Sequence, residues 1–177
     1  MSRPHPAHII TDDSAIGGSV IERSLVNAED RNRYLSYTPS AAGDQRTFTL
    51  SGWFKIYQAD GNQDFIWMCG TSSSNRFQIS REGVEQINFE PKSGGSDQAR
   101  FYTSNKFNDP TAWYHFVFKA DTTQGTSSDR YNFYINGVET EYGGTGGEVV
   151  TTSYPSQNTQ FLWGSTIEHR IGRRSYN

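Results

Sequence analysis

The sequence predicts an all-β chain, an antiparallel sandwich or barrel, and three observations carry that expectation. Its 177 residues hold 11 Phe, 10 Tyr and 4 Trp, while leucine occurs only at Leu25, Leu35, Leu50 and Leu162; a core built from such a chain is aromatic and suits strands better than helices. Apolar and polar residues alternate in several runs, the period of a half-buried strand. Turn-forming Gly, Ser, Asn and Asp separate those runs at short intervals, and no convincing amphipathic helix interrupts them.

Taken in order, residues 1–20 carry Pro4, Pro6, Asp12-Asp13 and Gly17-Gly18 without periodicity. They read as an extended N-terminal docking arm, and 21–177 as the sandwich. Thr47–Ile56 alternates, with Phe48, Leu50, Phe54 and Ile56 on one face and Thr47, Thr49, Ser51, Trp53 and Lys55 on the other. Gln63–Cys69 is a short apolar strand, Arg76–Ser80 alternates again, and Glu82-Gly83 turns the chain into Val84–Phe89. Pro91–Asp97 reads as a loop and Ala99–Thr103 as a strand. In Trp113–Lys119, Tyr114, Phe116 and Phe118 share one face, and Trp113, His115, Val117 and Lys119 the other. Arg130–Ile135 runs into Asn136-Gly137, a strong hairpin signal, with Val138–Tyr142 as the returning strand. Gln160–Gly164 and His169–Gly172 are the last strand candidates.

Charge and composition exclude several functions. Lys+Arg 16 against Asp+Glu 19 gives a net charge of −3 and a pI near 5.8, so no basic field invites nucleic acid or anionic lipid. The longest apolar run, Phe65–Cys69, is far too short to span a membrane. Met1-Ser-Arg-Pro-His-Pro6 lacks the apolar segment of a signal peptide, which leads us to expect synthesis in a reducing cytoplasm. Cys69 is the only cysteine, so neither an internal disulfide nor a cysteine zinc cage can form, and a buried inert thiol is expected.

Motifs for chemistry are weak. His5, His8, His115 and His169 form no metal-binding pair, and His115 reads as structural. Glu139-Thr-Glu141 puts two carboxylates on one strand face, but no third acid is near; Glu82 and Glu85 face apart across a glycine turn. Solvated strand faces account for both pairs. Asp60, Asn62 and Asp64 alternate as calcium ligands would, but a hairpin tip explains them and the expectation is no cofactor. Arg170, Arg173 and Arg174 are suited to gripping an anion or to solubilising a chain end.

Four segments resemble one family. Ser24-Leu25 with the run from Arg33-Tyr34-Leu35-Ser36-Tyr37-Thr38-Pro39-Ser40 through Thr47-Phe-Thr-Leu-Ser-Gly-Trp-Phe-Lys55 is similar to the opening of laminin-G-like (concanavalin A-like lectin/glucanase) domains, above all those of tailed-bacteriophage virion proteins. Trp113–Phe118, Tyr131–Val138 and His169–Arg173 resemble later strands of the same family. The resemblance implies a jelly-roll sandwich on a virion surface that binds host polysaccharide, with no enzyme activity, since the Glu-x-Asp-x-x-Glu strand of the hydrolase branch is absent. It also implies a further strand after the His169–Arg173 segment; with none expected before Asn177, either the sheet is left short or another polypeptide supplies the edge beside Ser24–Val26. The expected partners are other virion proteins through residues 1–20 and copies of the same chain, a trimer being the first expectation. Trp67, Tyr102 and Trp163 are the candidates for stacking on a glycan, with burial in the core the competing reading for each. The alternative function is a purely structural virion protein docked through its arm.

Overall fold

The computed structural model describes residues 34–56, 64–82, 85–140 and 153–173. Eleven strands in these segments form two antiparallel sheets. One runs in the order β1 (Leu35–Tyr37), β11 (His169–Ile171), β3 (Asp64–Ser72), β4 (Asn75–Glu82), β5 (Gln86–Ser93), β6 (Ser96–Asp97), with β7 (Phe101–Lys106) also paired to β5. The other runs β10 (Val138–Glu139), β9 (Tyr131–Ile135), β8 (Trp113–Asp121), β2 (Thr47–Lys55). Among the described residues there is no α-helix, only short 3-10 turns at Ser127–Arg130 and Leu162–Gly164. The jelly-roll class expected from the sequence is therefore the fold observed.

Alternation positions the two sheets. In β2 every odd residue is exposed and every even residue half-buried; in β8 and β9 Phe116, Phe118, Tyr131, Phe133 and Ile135 point inward and are buried. They meet Trp67, Phe77, Ile79, Ile87 and Phe89 of the larger sheet. Phe118 stacks on Phe89 at 4.7 Å, and Phe48 packs on Trp67 at 5.0 Å. Gly52 falls on the inner parity of β2, where an added Cβ would press on the Phe116 ring at 3.2 Å. The gap in the alternation thus makes room for an aromatic of the next strand.

The strand expectations fail where backbone bonding overrides the pattern. Gln160–Gly164 is not a strand. Phe161 and Trp163 do alternate into the core, but the Phe161 N–H donates to Gln45 O at 2.9 Å and Gly164 O accepts from Gly43 N at 2.7 Å. The segment is tied to the loop before β2 and closes as a 3-10 turn. Pro91 does not begin a loop: β5 continues through it, with Pro91 opposite Phe77 and its carbonyl accepting from Gln98 N at 2.9 Å. The reversal comes at Gly94 and Gly95, both at positive φ, 58° and 84°, and β6 returns. The strand expected at Ala99–Thr103 starts at Phe101 because Arg100 instead bridges to Ser153. Of the returning strand Val138–Tyr142, the structure shows Val138–Glu139; 141–152 lie outside the described residues, as do the arm 1–20, Ser24–Val26 and Val84.

Gly164 offers a direct test of the loop packing. A Cβ there would overlap the Asp44 carbonyl, which is backbone and cannot swing away. Gly164→Ala is expected to destabilise by about 1–3 kcal/mol, read as a lowered urea midpoint at unchanged slope.

Candidate functional site

The outward face of the four-stranded sheet carries aromatic side chains that the core does not use. Trp53 on β2 is 57% exposed and Trp113 on β8 is 50% exposed. They occupy the polar side of alternating strands, so burial does not explain them. Register brings the neighbours together: Lys55 lies opposite Trp113, Trp53 opposite His115 and Ser51 opposite Val117. Tyr134 of β9 is opposite Val117 and Glu139 of β10 opposite Tyr134.

These residues hold each other in place. The His115 ring sits 5.0 Å from that of Trp53, tilted by 44°, and its Nε2 is 3.1 Å from Ser51 Oγ. The His115 backbone is clamped by the β9–β10 turn: its N–H donates to Asn136 Oδ1 at 2.9 Å and its carbonyl accepts from Asn136 N at 2.8 Å. That turn places Asn136 and Gly137 at φ 51° and 81°, the two left-handed positions that Asn-Gly accommodates. Lys55 Nζ lies 5.9 Å from the Trp113 ring centre, a cation over an aromatic face. Asn132 donates to Glu139 Oε1 at 2.8 Å. The result is a band of ring faces bordered by hydroxyl, amide and carboxylate groups.

Among the described residues of this face the two acids with named partners, Glu139 and Asp121, stand apart. Glu139 is committed to Asn132, and Asp121, at the far end of β8, caps its own turn. The Thr123 hydroxyl and Gln124 amide hold the Asp121 carboxyl below its ordinary 3.8. A cleft of about 130 Å³ lined by Arg76, Lys92, Gln98 and Phe161 falls below the ~300–1,000 Å³ of pockets that enclose small ligands. Side chains on the outward face of the larger sheet pair among themselves: Arg76 with Glu90, Lys92 with Glu90 at 3.1 Å and with Asp97 at 3.4 Å.

The residues expected from the sequence are scattered. Trp67 and Trp163 are 5% and 3% exposed and both pack on Phe48 inside the sandwich. Neither has a free face for a sugar; they are core. Tyr102 lies on the other sheet, half-buried opposite Asn88, with the Arg100 guanidinium 5.1 Å above its ring. Of the calcium candidates only Asp64 is described, and it pairs with Arg81 at 2.8 Å. Cys69 is buried and free, and burial pushes its thiol pKa far up, as an inert thiol requires. Arg170 pairs with Glu168 at 2.6 Å, and Arg170 and Arg173 both lie against the Tyr34 ring; Arg174 and Glu141 are outside the described residues. Sequence reasoning passed over Trp53, Trp113 and Tyr134. The available signal was parity, because both tryptophans stand on the polar side of runs whose other side is aromatic.

Two measurements test this placement. Trp53→Ala should leave stability within about 0.5 kcal/mol, whereas Trp163→Ala should cost about 3–5 kcal/mol, both from urea unfolding. His169 supplies a pH test. Burial holds its imidazole below the ordinary 6.5, outweighing the Ser165 carbonyl contact at 3.2 Å. A depressed folded pKa means stability present above pH 6.5 and lost as pH falls from there through the folded value. Asp44, Asp109, Asp121 and Glu168, held below ordinary values of 3.8 or 4.5, contribute losses at lower pH. The urea midpoint should therefore fall as the pH drops below about 6.5, and His169→Gln should flatten the upper part of that fall.

Comparison with known proteins gives the family. No curated protein sequence matches the chain. Similar solved structures include a carbohydrate binding module, CBM66, from Bacillus subtilis (13% identity, 81% of this chain and 80% of that one, TM-score 0.43). Others are domains LG4-5 of the mouse laminin alpha1 chain (10%, 80% and 38%, 0.48) and a heptameric SAP-like pentraxin from Limulus polyphemus (14%, 82% and 69%, 0.43). The family model that describes the concanavalin A-like lectin/glucanases superfamily, of the laminin G type, matches residues 29–174. The chain belongs to the concanavalin A-like lectin/glucanases superfamily.

Proposed function

We propose that the chain is a non-catalytic glycan-binding module of a bacteriophage virion protein, and that the glycan lies on the outward face of the four-stranded sheet. One observation carries the binding site: Trp53 and Trp113, half exposed or more, share one rigid face with Tyr134 and His115. Exposed aromatics gathered on one face mark an interaction surface. Sugar rings offer apolar C–H faces that stack on aromatic rings, and their equatorial hydroxyls then meet Ser51, Asn132 and Glu139 at the border. The separation of the acids supports a binding role over hydrolysis.

The virion setting is supported by the resemblance of Ser24-Leu25 and Arg33–Lys55 to phage virion domains. On this reading the module stands on the virion surface, residues 1–20 dock on neighbouring virion proteins, and copies assemble as a homo-oligomer, a trimer first. Assembly is supported by the end of the larger sheet, where β1 among the described residues has a strand on one side only. It is supported too by Leu35, Tyr37 and Ile171, which remain 53%, 69% and 45% exposed.

The test is a glycan array followed by binding to the bacterial polysaccharides it retains. Trp53→Ala and Trp113→Ala should each weaken binding about tenfold or more, with Ser96→Ala on the other sheet as an unchanged control. No new reducing ends should appear on prolonged incubation. A wild-type protein that binds no glycan yet incorporates into particles would replace this reading with the purely structural one.

A further inference from the structure

The spacing of the aromatic side chains narrows the ligand beyond a sugar of any kind. On a sheet face, side chains two residues apart along a strand stand about 7 Å apart, and neighbouring strands about 4.8 Å. Trp53 is level with His115, and Trp113 lies two residues away along β8, so their Cα positions are about 8 Å apart on a diagonal. Tyr134 lies one strand beyond β8 and level with Val117, which puts it about 12 Å from Trp53 and about 14 Å from Trp113. A single pyranose ring cannot bridge those distances. Between them the floor is low: His115 and Val117 are half-buried and stand level with Trp53 and Tyr134.

We propose that this face binds an internal stretch of an extended polysaccharide, crossing β2, β8 and β9 obliquely from the two tryptophans to Tyr134, and that it does not read a chain end. The inference rests on the glycan reading above and adds the length and polarity of what is bound. Recognition of a terminus needs a wall with polar groups converging on the last ring. The described face has none. On one side β2 is the sheet edge; on the other, β10 is two residues long and both Val138 and Glu139 are exposed. The polar groups are strung along the band instead: Ser51 beside His115, and the Asn132–Glu139 pair beside Tyr134. A chain entering over the β2 edge and leaving past β10 meets a ring face and a polar partner at each end, Trp53 with Ser51 and Tyr134 with Asn132 and Glu139.

The experiment is calorimetric titration of the full chain with sized oligosaccharides. The probes are cello-, laminari- and alginate oligosaccharides of one to six rings, with partial hydrolysates of the polysaccharide the array retains, each with its reducing end free or reduced to the alditol. Affinity should rise by about tenfold or more between the disaccharide and the tetrasaccharide and then level off, with reduction of the end making no difference. Tyr134→Ala should remove most of the gain from added length, whereas Trp53→Ala should weaken every length. A monosaccharide that competes as well as the polymer, or loss of binding on reduction of the chain end, would overturn internal recognition and leave glycan binding standing. Failure of every glycan, polymers included, would instead sink the functional reading on which it rests.

Discussion

Filling the space between two sheets with aromatic rings is the constraint on which the rest of the structure depends. With four leucines in the whole chain, the interior has few aliphatic side chains to interdigitate. Phe118 stands at its centre, in contact with Phe89 at 4.7 Å, Tyr131 at 5.4 Å, Phe77 at 5.8 Å, Phe48 at 6.4 Å and Trp163 at 6.5 Å. Ring pairs prefer tilted or offset geometry, each worth about 0.5–1.5 kcal/mol beyond its buried area. Planar side chains also tolerate little sliding, so sheet spacing and strand register are set by how the rings interlock. Gly52 leaves space for Phe116, and Gly164 lets the Trp163 loop close against Asp44; both make rings fit.

That constraint explains why composition alone misdirects the search for a binding surface. Trp67 and Trp163 are the kind of residue expected on a sugar-binding face, and here the core needs them. Trp53 and Trp113 are chemically identical to them and stand outside. Only position in the alternation separates the two pairs, and the alternation of Thr47–Ile56 and Trp113–Lys119 is plain in the chain. The sandwich class, the inner face of β2 and β8, and the Asn136-Gly137 turn were all readable from period and turn chemistry. The proposed site was present in the same pattern, on the face set aside as polar.

What could not be read lies where backbone groups find partners far away in sequence. The Phe161–Gly164 segment alternates like a strand, but its hydrogen bonds go to Gly43 and Gln45, a pairing no local pattern announces. Pro91 reads as a strand breaker, yet the ring sits in β5 with its carbonyl serving Gln98. Arg81 is another case. It is a charged residue at an inward position, 1% exposed and held by Asp64 from the neighbouring strand. Propensity describes the cost of such placements, while tertiary pairing decides whether they occur.

The two faces of β2 and β8 share one backbone, and this limits how the molecule can change. Moving β8 by a single position would present Phe116 and Phe118 to water and drive Trp113 and His115 into the interior. Ligand preference on the proposed face can therefore drift only by substitution at every second position, while length variation is confined to the connections between strands. A family of such modules would be expected to differ in the loops without altering the aromatic band, and to differ in the band without altering the loops. The two kinds of diversity are uncoupled by the pleat.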